Sequence, residues 1–441
     1  MIKSKMHSKS FTFYDNGIEQ IVSTPCLAFY SQCGAIPYLN WNFVRKNDGI
    51  IYRSNDDKEK SILLVNIADL LILHNSGVLE GFTEMKYLDQ FSTMISLFQP
   101  FAKYSNFKCK NDSVPVASIQ GKEFISVEKM LKISQECNPA LLQTLADINI
   151  PSYAGKKWSE KSSSRSGRLL EQTLEMIKTQ NSKGELKRIK LEQPRIWATL
   201  SGGYSVKDRT KSCEIISKFS DQISGIVIES FYGYHSKPRK FCFLDNNNDE
   251  KVDNKESTDD DLKEDETYFV DDYQDCAEIL KSTIIQNLPK HLPRALFGCF
   301  YPDDILRFIS IGIDIFDTSI CTLLSQNALA LSSPLIDHQN VKLNFCRPNS
   351  FADYESSLVY LSNQKYYSSL ELISQSCDCY TCNAGYSRAY LNHLFKRNEL
   401  NGPMLLQIHN HYVLTKFFSD VRSVILQGNF ELLLKNSNIT V

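Results

Sequence analysis

The stretch Arg294-Ala-Leu-Phe-Gly-Cys-Phe-Tyr-Pro-Asp-Asp-Ile-Leu-Arg-Phe-Ile-Ser-Ile-Gly-Ile-Asp-Ile-Phe-Asp317 indicates the fold class of this chain. Its first five residues, an arginine followed by four apolar residues, are typical of a buried strand. Pro302-Asp-Asp then opens a segment with helical spacing up to Ile311, and its carboxylates suit the positive end of a helix. Residues 312–317 are again typical of a strand. The stretch therefore predicts a strand, a helix and a second strand with short connections.

The same alternation of short apolar runs and amphipathic segments extends through much of the chain. A segment with helical spacing occupies residues 205–222, after a Gly202-Gly203 turn. Strands that alternate with helices favour parallel βα units and hence the α/β class. Periodicity alone leaves open whether the strands close into a barrel or form an open, doubly wound sheet. The further strands predicted in this way are Thr24–Tyr30, Ser61–Ile67, Pro194–Leu200 and Ser224–Glu229.

The composition is typical of an intracellular globular protein. Of the 441 residues, 42% are hydrophobic and 23% are charged, which suffices for a large core without disulfides. The net charge of -2 provides no global basic field, so a nucleic-acid partner requires a local basic patch. No signal peptide is readable in residues 1–11, and the apolar run Ile62–Leu73 is too short to span a bilayer. We therefore expect a cytoplasmic chain whose 13 cysteines are reduced or bind metal.

Two polar segments interrupt the pattern. Residues 245–272 are packed with Asp, Glu, Asn and Lys, so they are predicted to be a disordered acidic insertion, with an acidic docking segment as the alternative. Residues 155–168 are rich in Lys, Ser and Arg, and they are predicted to form a solvated loop. The alternative for this second segment is a patch that contacts nucleic-acid phosphates. Its candidate residues are Lys156, Lys157, Arg165 and Arg168.

The strongest chemical signal is Cys377-Asp-Cys-Tyr-Thr-Cys382. Three thiolates within six positions converge on one ion if the backbone turns tightly, which the small and polar residues around them permit. Zinc requires four ligands in a tetrahedron, so Cys377, Cys379 and Cys382 leave one place for another residue. An iron–sulfur cluster would ordinarily require a fourth cysteine, and none follows Cys382. The alternative to a metal site is a chance cluster of buried thiols.

A downstream histidine is the expected fourth ligand. Residues 386–399 and 403–434 are predicted to form two helices. His409 and His411 lie two residues apart on the second helix and cannot face the same point. His409 shares the apolar phase of that helix and is the first candidate, whereas His393 on the first helix is the second. Four protein ligands leave no open coordination position, so the predicted Zn²⁺ is structural.

The cysteine segment also resembles a known family. From Cys377 to Leu394, and again at Ile408-His-Asn410, the sequence is similar to the C-terminal zinc region of the tRNA-guanine transglycosylases, the queuine tRNA-ribosyltransferase family. Similar segments lie at Thr24–Leu39, Val114–Gly121 and Phe297–Leu306, so the resemblance covers nearly the whole chain except the acidic insertion.

This resemblance implies a fold and a ligand set. It implies a (β/α)₈ TIM barrel, which decides the question that periodicity leaves open. A single barrel is expected over residues 1–441, with a zinc-binding helical region at residues 371–441. The resemblance also implies His409 as the fourth zinc ligand beside the three cysteines.

The catalytic motifs of the family are degraded in this sequence. Its members exchange guanine for a 7-deazaguanine base at the tRNA wobble position: one carboxylate attacks the ribose carbon and a second moves protons. Asp317 occupies the place of the nucleophile at the end of a late barrel strand. However, no Pro-Thr-Arg turn follows it, and residues 88–101 hold no Asp-Ser-Gly-Gly-Phe-Gln motif. Residues 229–233 replace the base-binding Gly-Gly-Leu turn, and Ser201 stands where the family has Gln.

Zinc ligands retained beside degraded catalytic motifs resemble the non-catalytic accessory subunits of the eukaryotic enzyme. The resemblance implies that the chain has no catalytic residue of its own and forms a heterodimer with the catalytic subunit on one tRNA, through the zinc-bearing region. The alternative is a catalytically active tRNA-guanine transglycosylase with Asp317 as nucleophile. A homodimer and a peripheral association with the mitochondrial outer membrane are further implications, for which the sequence itself carries no signal.

Overall fold

The computed structural model describes most of the chain. The described residues are 9–15, 18–40, 44, 61–79, 91–101, 109–110, 112–118, 121–150, 154–182, 195–229, 231, 273–345 and 357–440. The predicted acidic insertion, residues 245–272, lies outside them. Within these ranges, no helix combines the length and the apolar character that crossing a membrane requires.

Strands and helices alternate along the described chain. The strands are β1 (Lys9–Asp15), β2 (Ile18–Thr24), β3 (Cys26–Tyr30), β4 (Ser61–Asn66), β5 (Phe91–Ser96), β6 (Ser113–Ser118), β7 (Gly121–Ser126), β8 (Leu141–Gln143), β9 (Ile196–Leu200), β10 (Gly225–Ile228), β11 (Arg294–Leu296), β12 (Ile315–Asp317), β13 (Leu329–Leu331), β14 (Ile336–Asp337), β15 (Lys342–Leu343) and β16 (Leu358–Tyr360). The α-helices are α1 (Ile67–Asn75), α2 (Val127–Cys137), α3 (Lys156–Ser182), α4 (Val206–Ser217), α5 (Tyr273–Asn287), α6 (Pro302–Ser310), α7 (Ser319–Gln326), α8 (Tyr380–Asn383), α9 (Arg388–Lys396), α10 (Asn401–Leu426) and α11 (Phe430–Asn436).

Eight parallel strands close into a barrel, which confirms the (β/α)₈ fold. Around the ring they follow the order β3, β4, β5, β8, β9, β10, β11 and β12, and β12 pairs back onto β3. The barrel strands are apolar on both faces because helices cover the outside while side chains fill the inside. The stretch 294–317 forms β11, α6 and β12, as its sequence predicts.

The barrel is filled by side chains and closed at its amino-terminal end by a hairpin. The antiparallel strands β1 and β2 insert Phe13 and Val22 into the interior cluster that contains Trp197. Phe11 packs edge-on against Trp197, with ring centroids 5.8 Å apart. A second, larger cluster lies between the strands and the surrounding helices. Among the described residues the amino-terminal end is therefore packed core, and sites in barrels of this kind lie at the carboxyl ends of the strands.

Two predicted boundaries were wrong. Residues 155–168 do not form a loop, because α3 begins at Lys156 and continues for 27 residues. Its serines explain the error: Ser162 and Ser166 are buried, and they hydrogen-bond the backbone of Asp147 instead of water. The last long helix starts at residue 401 and ends at residue 426, and Gly428, at φ +74°, lies in the break before α11.

Candidate metal centre and barrel mouth

Three thiols and one imidazole converge in the interior of the C-terminal region. The ligand atoms of Cys377, Cys379, Cys382 and His409 all lie within 4.8 Å of one another, and all four residues are buried. This is the one group of three or more potential metal ligands within the described part of the chain. The structure thus brings together the four residues that the sequence singles out, and the cluster can hold a metal ion.

Short helical segments set the geometry of this cluster. Cys379 caps the four-residue helix α8, and its sulfur accepts the backbone N–H of Cys382 at 3.4 Å. Thr381, between these two cysteines, donates its hydroxyl to the carbonyl oxygen of Leu405 on α10 at 2.7 Å. The thiols are thereby held against the helix that carries His409, one turn further along.

The distances fit a tetrahedral ion. His409 Nδ1 lies 3.6 Å from the sulfur of Cys377 and 3.5 Å from the sulfurs of Cys379 and Cys382. Bonds of about 2.3 Å to sulfur and about 2.1 Å to nitrogen, at the tetrahedral angle, place the two ligand atoms about 3.6 Å apart. His409 Nε2 faces the carbonyl oxygen of Leu331 at 2.9 Å. Because a carbonyl only accepts, Nε2 carries the hydrogen and Nδ1 presents its lone pair to the thiols.

The other two histidines lie outside the cluster. His411 is buried on another side of α10, where its ring stacks on Phe29 and its Nε2 lies 3.0 Å from the amide nitrogen of Gln407. Burial lowers the pKa of His411 to about 3, so it is a neutral core residue. His393 is exposed on α9. Neither residue replaces His409 in this arrangement.

At the mouth of the barrel, Asp317 is fully engaged by the backbone. It ends β12, is 2% exposed, and accepts the N–H of Gly298 at Oδ1 (2.6 Å) and the N–H of Ser319 at Oδ2 (2.8 Å). Burial raises its pKa to about 7 despite these hydrogen bonds. The carboxylate therefore joins the end of β11 to the start of α7, and each of its oxygens accepts one backbone hydrogen.

At the end of β10, Glu229, the first residue of the segment 229–233, is engaged by its own chain. Glu229 follows β10 and accepts the N–H groups of Gly202 and Gly203 at 3.1 and 3.3 Å. Arg209 donates its Nε to the carbonyl oxygen of Gly203 at 2.6 Å and an NH2 hydrogen to that of Glu229 at 3.0 Å. Gly202 has φ +133°, and a Cβ there would meet the backbone nitrogen of Arg209 at 2.7 Å. This network holds the two strand ends together, with Glu229 acting as an internal acceptor.

Neutral side chains occupy the space between these strand ends. Gln143 accepts the Ser96 hydroxyl at 2.9 Å and donates to Thr199 at 3.2 Å, so β5, β8 and β9 are linked through uncharged groups. Phe98 and Phe297 meet with ring centroids 6.0 Å apart above the interior cluster. These residues therefore contribute aromatic rings and hydrogen-bonded neutral groups near the strand ends, and none of them is a carboxylate.

The four residues predicted as phosphate contacts differ in their exposure to solvent. Arg165 is half-buried and forms an ion pair with Asp147, the residue that also accepts the thiol of Cys109 at 3.0 Å. It is therefore a structural residue in this arrangement. Lys156, Lys157 and Arg168 are exposed on α3.

The sequence of this chain is similar to those of known proteins over nearly its whole length. The family model for queuine tRNA-ribosyltransferase matches residues 18–250 and 267–438. The chain belongs to this family. Membership agrees with the barrel and with the buried cluster of three cysteines and one histidine.

Relatives within the queuine tRNA-ribosyltransferase family share most of their length with the chain. The protein named queuine tRNA-ribosyltransferase accessory subunit 2 from Drosophila grimshawi is 26% identical, over 94% of this chain and 85% of its own. Proteins of the same name from Ixodes scapularis and Aedes aegypti are 24% and 22% identical, over 93% and 94% of this chain and 91% and 85% of theirs.

Two residues that shape the surroundings of the cysteine–histidine cluster carry little signal in the sequence. Leu331 orients His409 through a backbone carbonyl, which any residue offers. Asn410 accepts the N–H of Leu331 at 2.9 Å and donates to Ser325 and Leu329, fixing α10 against the end of the barrel. An Asn beside the predicted ligand was the one hint, since a buried amide needs partners from another element.

Proposed function

We propose that the chain is the non-catalytic accessory subunit of a heterodimeric queuine tRNA-ribosyltransferase. In this role it supports the exchange of guanine for queuine at the wobble position of tRNA, while a separate catalytic subunit performs the chemistry. The names of the relatives support the accessory role. The observation that carries the proposal is the state of Asp317, whose two oxygens both accept backbone hydrogens.

A nucleophilic carboxylate needs an oxygen aimed at the ribose carbon and an ionised state at neutral pH. Asp317 falls short of both requirements in this arrangement. Its oxygens hold Gly298 and Ser319, and its pKa of about 7 leaves about half of the molecules protonated at that pH. A second carboxylate would have to manage the protons, yet Glu229 is held by two glycine N–H groups, and burial raises its pKa. We therefore assign no catalytic residue to this chain.

We further propose that Cys377, Cys379, Cys382 and His409 bind one structural Zn²⁺. Sulfur and nitrogen donors at tetrahedral spacing support this choice of ion. When bound, the ion would fill its coordination shell with protein ligands and thereby tie the cysteine segment to α10. Its contribution would be to the stability of the zinc-binding helical region, residues 371–441, whose boundary stays a prediction.

The surface of that region, together with the residues just before it, supports a role in subunit association. Tyr386 and Tyr390 stack on each other with ring centroids 5.5 Å apart, and Tyr390 is 42% exposed. Tyr367 and Leu370 are exposed by 78% and 86%. Large aromatic and apolar side chains at the surface are typical of the buried centre of a protein interface. We propose that this tyrosine surface, defined by these four residues, packs against the catalytic subunit.

The decisive experiment is tRNA base exchange with labelled queuine. The chain is assayed alone, with a catalytic subunit, and with that subunit while carrying Asp317→Asn. The proposal expects exchange only when the catalytic subunit is present, and an unchanged rate per folded complex for the Asp317 variant. Exchange by the chain alone, abolished by Asp317→Asn, would instead establish the alternative of an active transglycosylase.

Localisation and self-association extend the same proposal. We propose that the heterodimer works in the cytoplasm, with peripheral association at the mitochondrial outer membrane and a homodimer as secondary states. Subcellular fractionation and sedimentation of the purified chain test these points separately. Recovery of the chain from a compartment without the catalytic subunit would contradict the shared localisation.

A further inference from the structure

We propose that one outer edge of the barrel binds the phosphate backbone of RNA, an inference that rests on the proposed function because tRNA is the polyanion that function supplies. We call this surface the basic edge. It comprises Lys156, Lys157, Lys161 and Arg168 on α3 and Lys207 and Lys211 on α4.

Helical geometry aligns the α3 cations. Lys157, Lys161 and Arg168 occupy positions i, i+4 and i+11, which lie on one side of a helix of 3.6 residues per turn, and all three are exposed. A rise of about 1.5 Å per residue spreads them over about 16 Å. Cations in a row along a helix match a linear chain of phosphates better than a single anion.

The second helix adds to the same row. Lys211 on α4 donates to the hydroxyl of Ser164 at 3.1 Å, and Ser164 lies between Lys161 and Arg168 on the α3 stripe. Lys207 precedes Lys211 by one turn and is exposed. The Lys211–Ser164 contact therefore joins the two helices into one continuous cationic surface.

The charge of this segment departs sharply from that of the whole chain. From residue 156 to residue 168 there are five cations and one carboxylate, Glu160, whereas the chain as a whole has a net charge of -2. Beyond Arg168 the helix turns acidic on its exposed positions, at Glu171 and Glu175. The positive charge is thus concentrated where α3 and α4 begin, next to the carboxyl ends of β8 and β9.

Within the described part of the chain, the exposed lysines of the basic edge take part in no ion pair. Arg165, on the same part of α3, differs from these lysines because it forms an ion pair with Asp147. Lys157, Lys161 and Lys207 form no ion pair with any described residue. Exposed basic side chains that form no such ion pair and lie beside a barrel mouth attract a polyanion by counterion release.

The test measures binding of a fluorescent full-length tRNA to the full chain across a series of KCl concentrations. The variant Lys157→Gln, Lys161→Gln, Lys207→Gln removes three cations without altering helix propensity. Each lost phosphate contact lowers the slope of log K against log salt by about 0.7–0.9, so we expect a slope smaller by about 2 and binding weaker by about 10- to 100-fold.

A matched control removes three exposed lysines elsewhere. Lys132→Gln, Lys178→Gln, Lys435→Gln changes the net charge by the same amount, with Lys178 at the far end of α3. The proposal expects a slope within about 0.5 of the wild-type value for this control. Equal effects of the two triple variants, or an unchanged slope for the basic-edge variant, would overturn it. Loss of binding to anionic phosphatidylserine vesicles while tRNA binding persists would assign the basic edge to a membrane and overturn it as well.

The same variants separate this inference from the proposed function. If the heterodimer performs base exchange but the basic-edge variant binds tRNA with an unaltered salt slope, the basic edge is rejected and the accessory role stands. No exchange by the heterodimer, together with a reduced slope, would reject the accessory role and leave the RNA surface intact.

Discussion

Replacing Asp317 by Asn distinguishes a structural carboxylate from a catalytic one. In the native chain its two oxygens accept the N–H groups of Gly298 and Ser319. An amide keeps one acceptor oxygen but turns the other position into a donor. One backbone hydrogen therefore loses its acceptor and faces the new NH₂ group, and the two donors lie in a site that is 2% exposed.

The size of the effect follows from these two donors. Each buried donor without a partner costs about 1–3 kcal/mol, so the free energy of unfolding should fall by about 4 kcal/mol. An unfolding entropy of about 2.1 cal/mol/K per residue gives about 0.9 kcal/mol/K for a chain of 441 residues. The expected fall in Tm is therefore about 4 °C.

The pH dependence supplies an independent signature. Burial raises the pKa of Asp317 from 3.8 to about 7, so between these values the native state holds a proton that the unfolded chain has released. The stability from this group is fully present below pH 3.8 and is lost as the pH rises through 7. Asn does not titrate. The stability advantage of the wild type over Asp317→Asn should therefore shrink by about 2–3 kcal/mol between pH 5 and pH 8.

Urea denaturation at pH 5, 6.5 and 8 measures both effects, and Asp221→Asn serves as the control. Asp221 is exposed, and its replacement changes the charge by the same amount in contact with water. The control should lose less than about 1 kcal/mol. If Asp317→Asn leaves stability unchanged at every pH but abolishes base exchange by the heterodimer, then Asp317 is catalytic and the reasoning is wrong.

Three further predictions concern the metal, the interface and the ion pair. Cys382→Ser should lower the zinc content measured by plasma mass spectrometry from one ion per chain to a small fraction and lower Tm; full occupancy would exclude Cys382 as a ligand. Tyr390→Ala should raise the Kd of the heterodimer about 10-fold in a binding titration, whereas Leu432→Ala, at a side chain that is equally exposed (43%), should leave it unchanged. Equal Kd values for the two variants would place the interface elsewhere. Arg165→Ala should cost about 3 kcal/mol of stability by leaving Asp147 unpaired, with an unaltered salt slope for tRNA; a reduced slope would make Arg165 a phosphate contact.

The metal cluster shows which of its ligands can be predicted from spacing along the sequence. The three cysteines lie within six residues, and a chain segment that short keeps them near one another in any compact state. The fourth ligand is 27 residues beyond Cys382, and its place depends on how α10 packs. Helical phase favours His409 over His411, because a separation of two residues turns a side chain to another face. Phase does not exclude His393, which α9 leaves at the surface.

The serine-rich segment shows where local patterns fail. Residues 155–168 have the composition of a solvated loop, yet they begin a helix of 27 residues. Ser162 and Ser166 find their hydrogen-bond partners at Asp147, a residue that belongs to the loop after β8. Composition indicates only that such hydroxyls need partners. Which partners they have depends on an element that lies 15 or more residues away.

The sequence by itself determined the α/β class and the triple-cysteine segment, because both depend on periods and spacings of a few residues. The family resemblance implied the closed ring of eight strands and the place of His409, and the structure bears out both. Tertiary structure alone decided that α3 and α4 align their lysines. It also decided the state of Asp317, since its two partners belong to the ends of different elements. Such contacts join residues far apart in the chain, and their free energy depends on burial, which no local pattern contains.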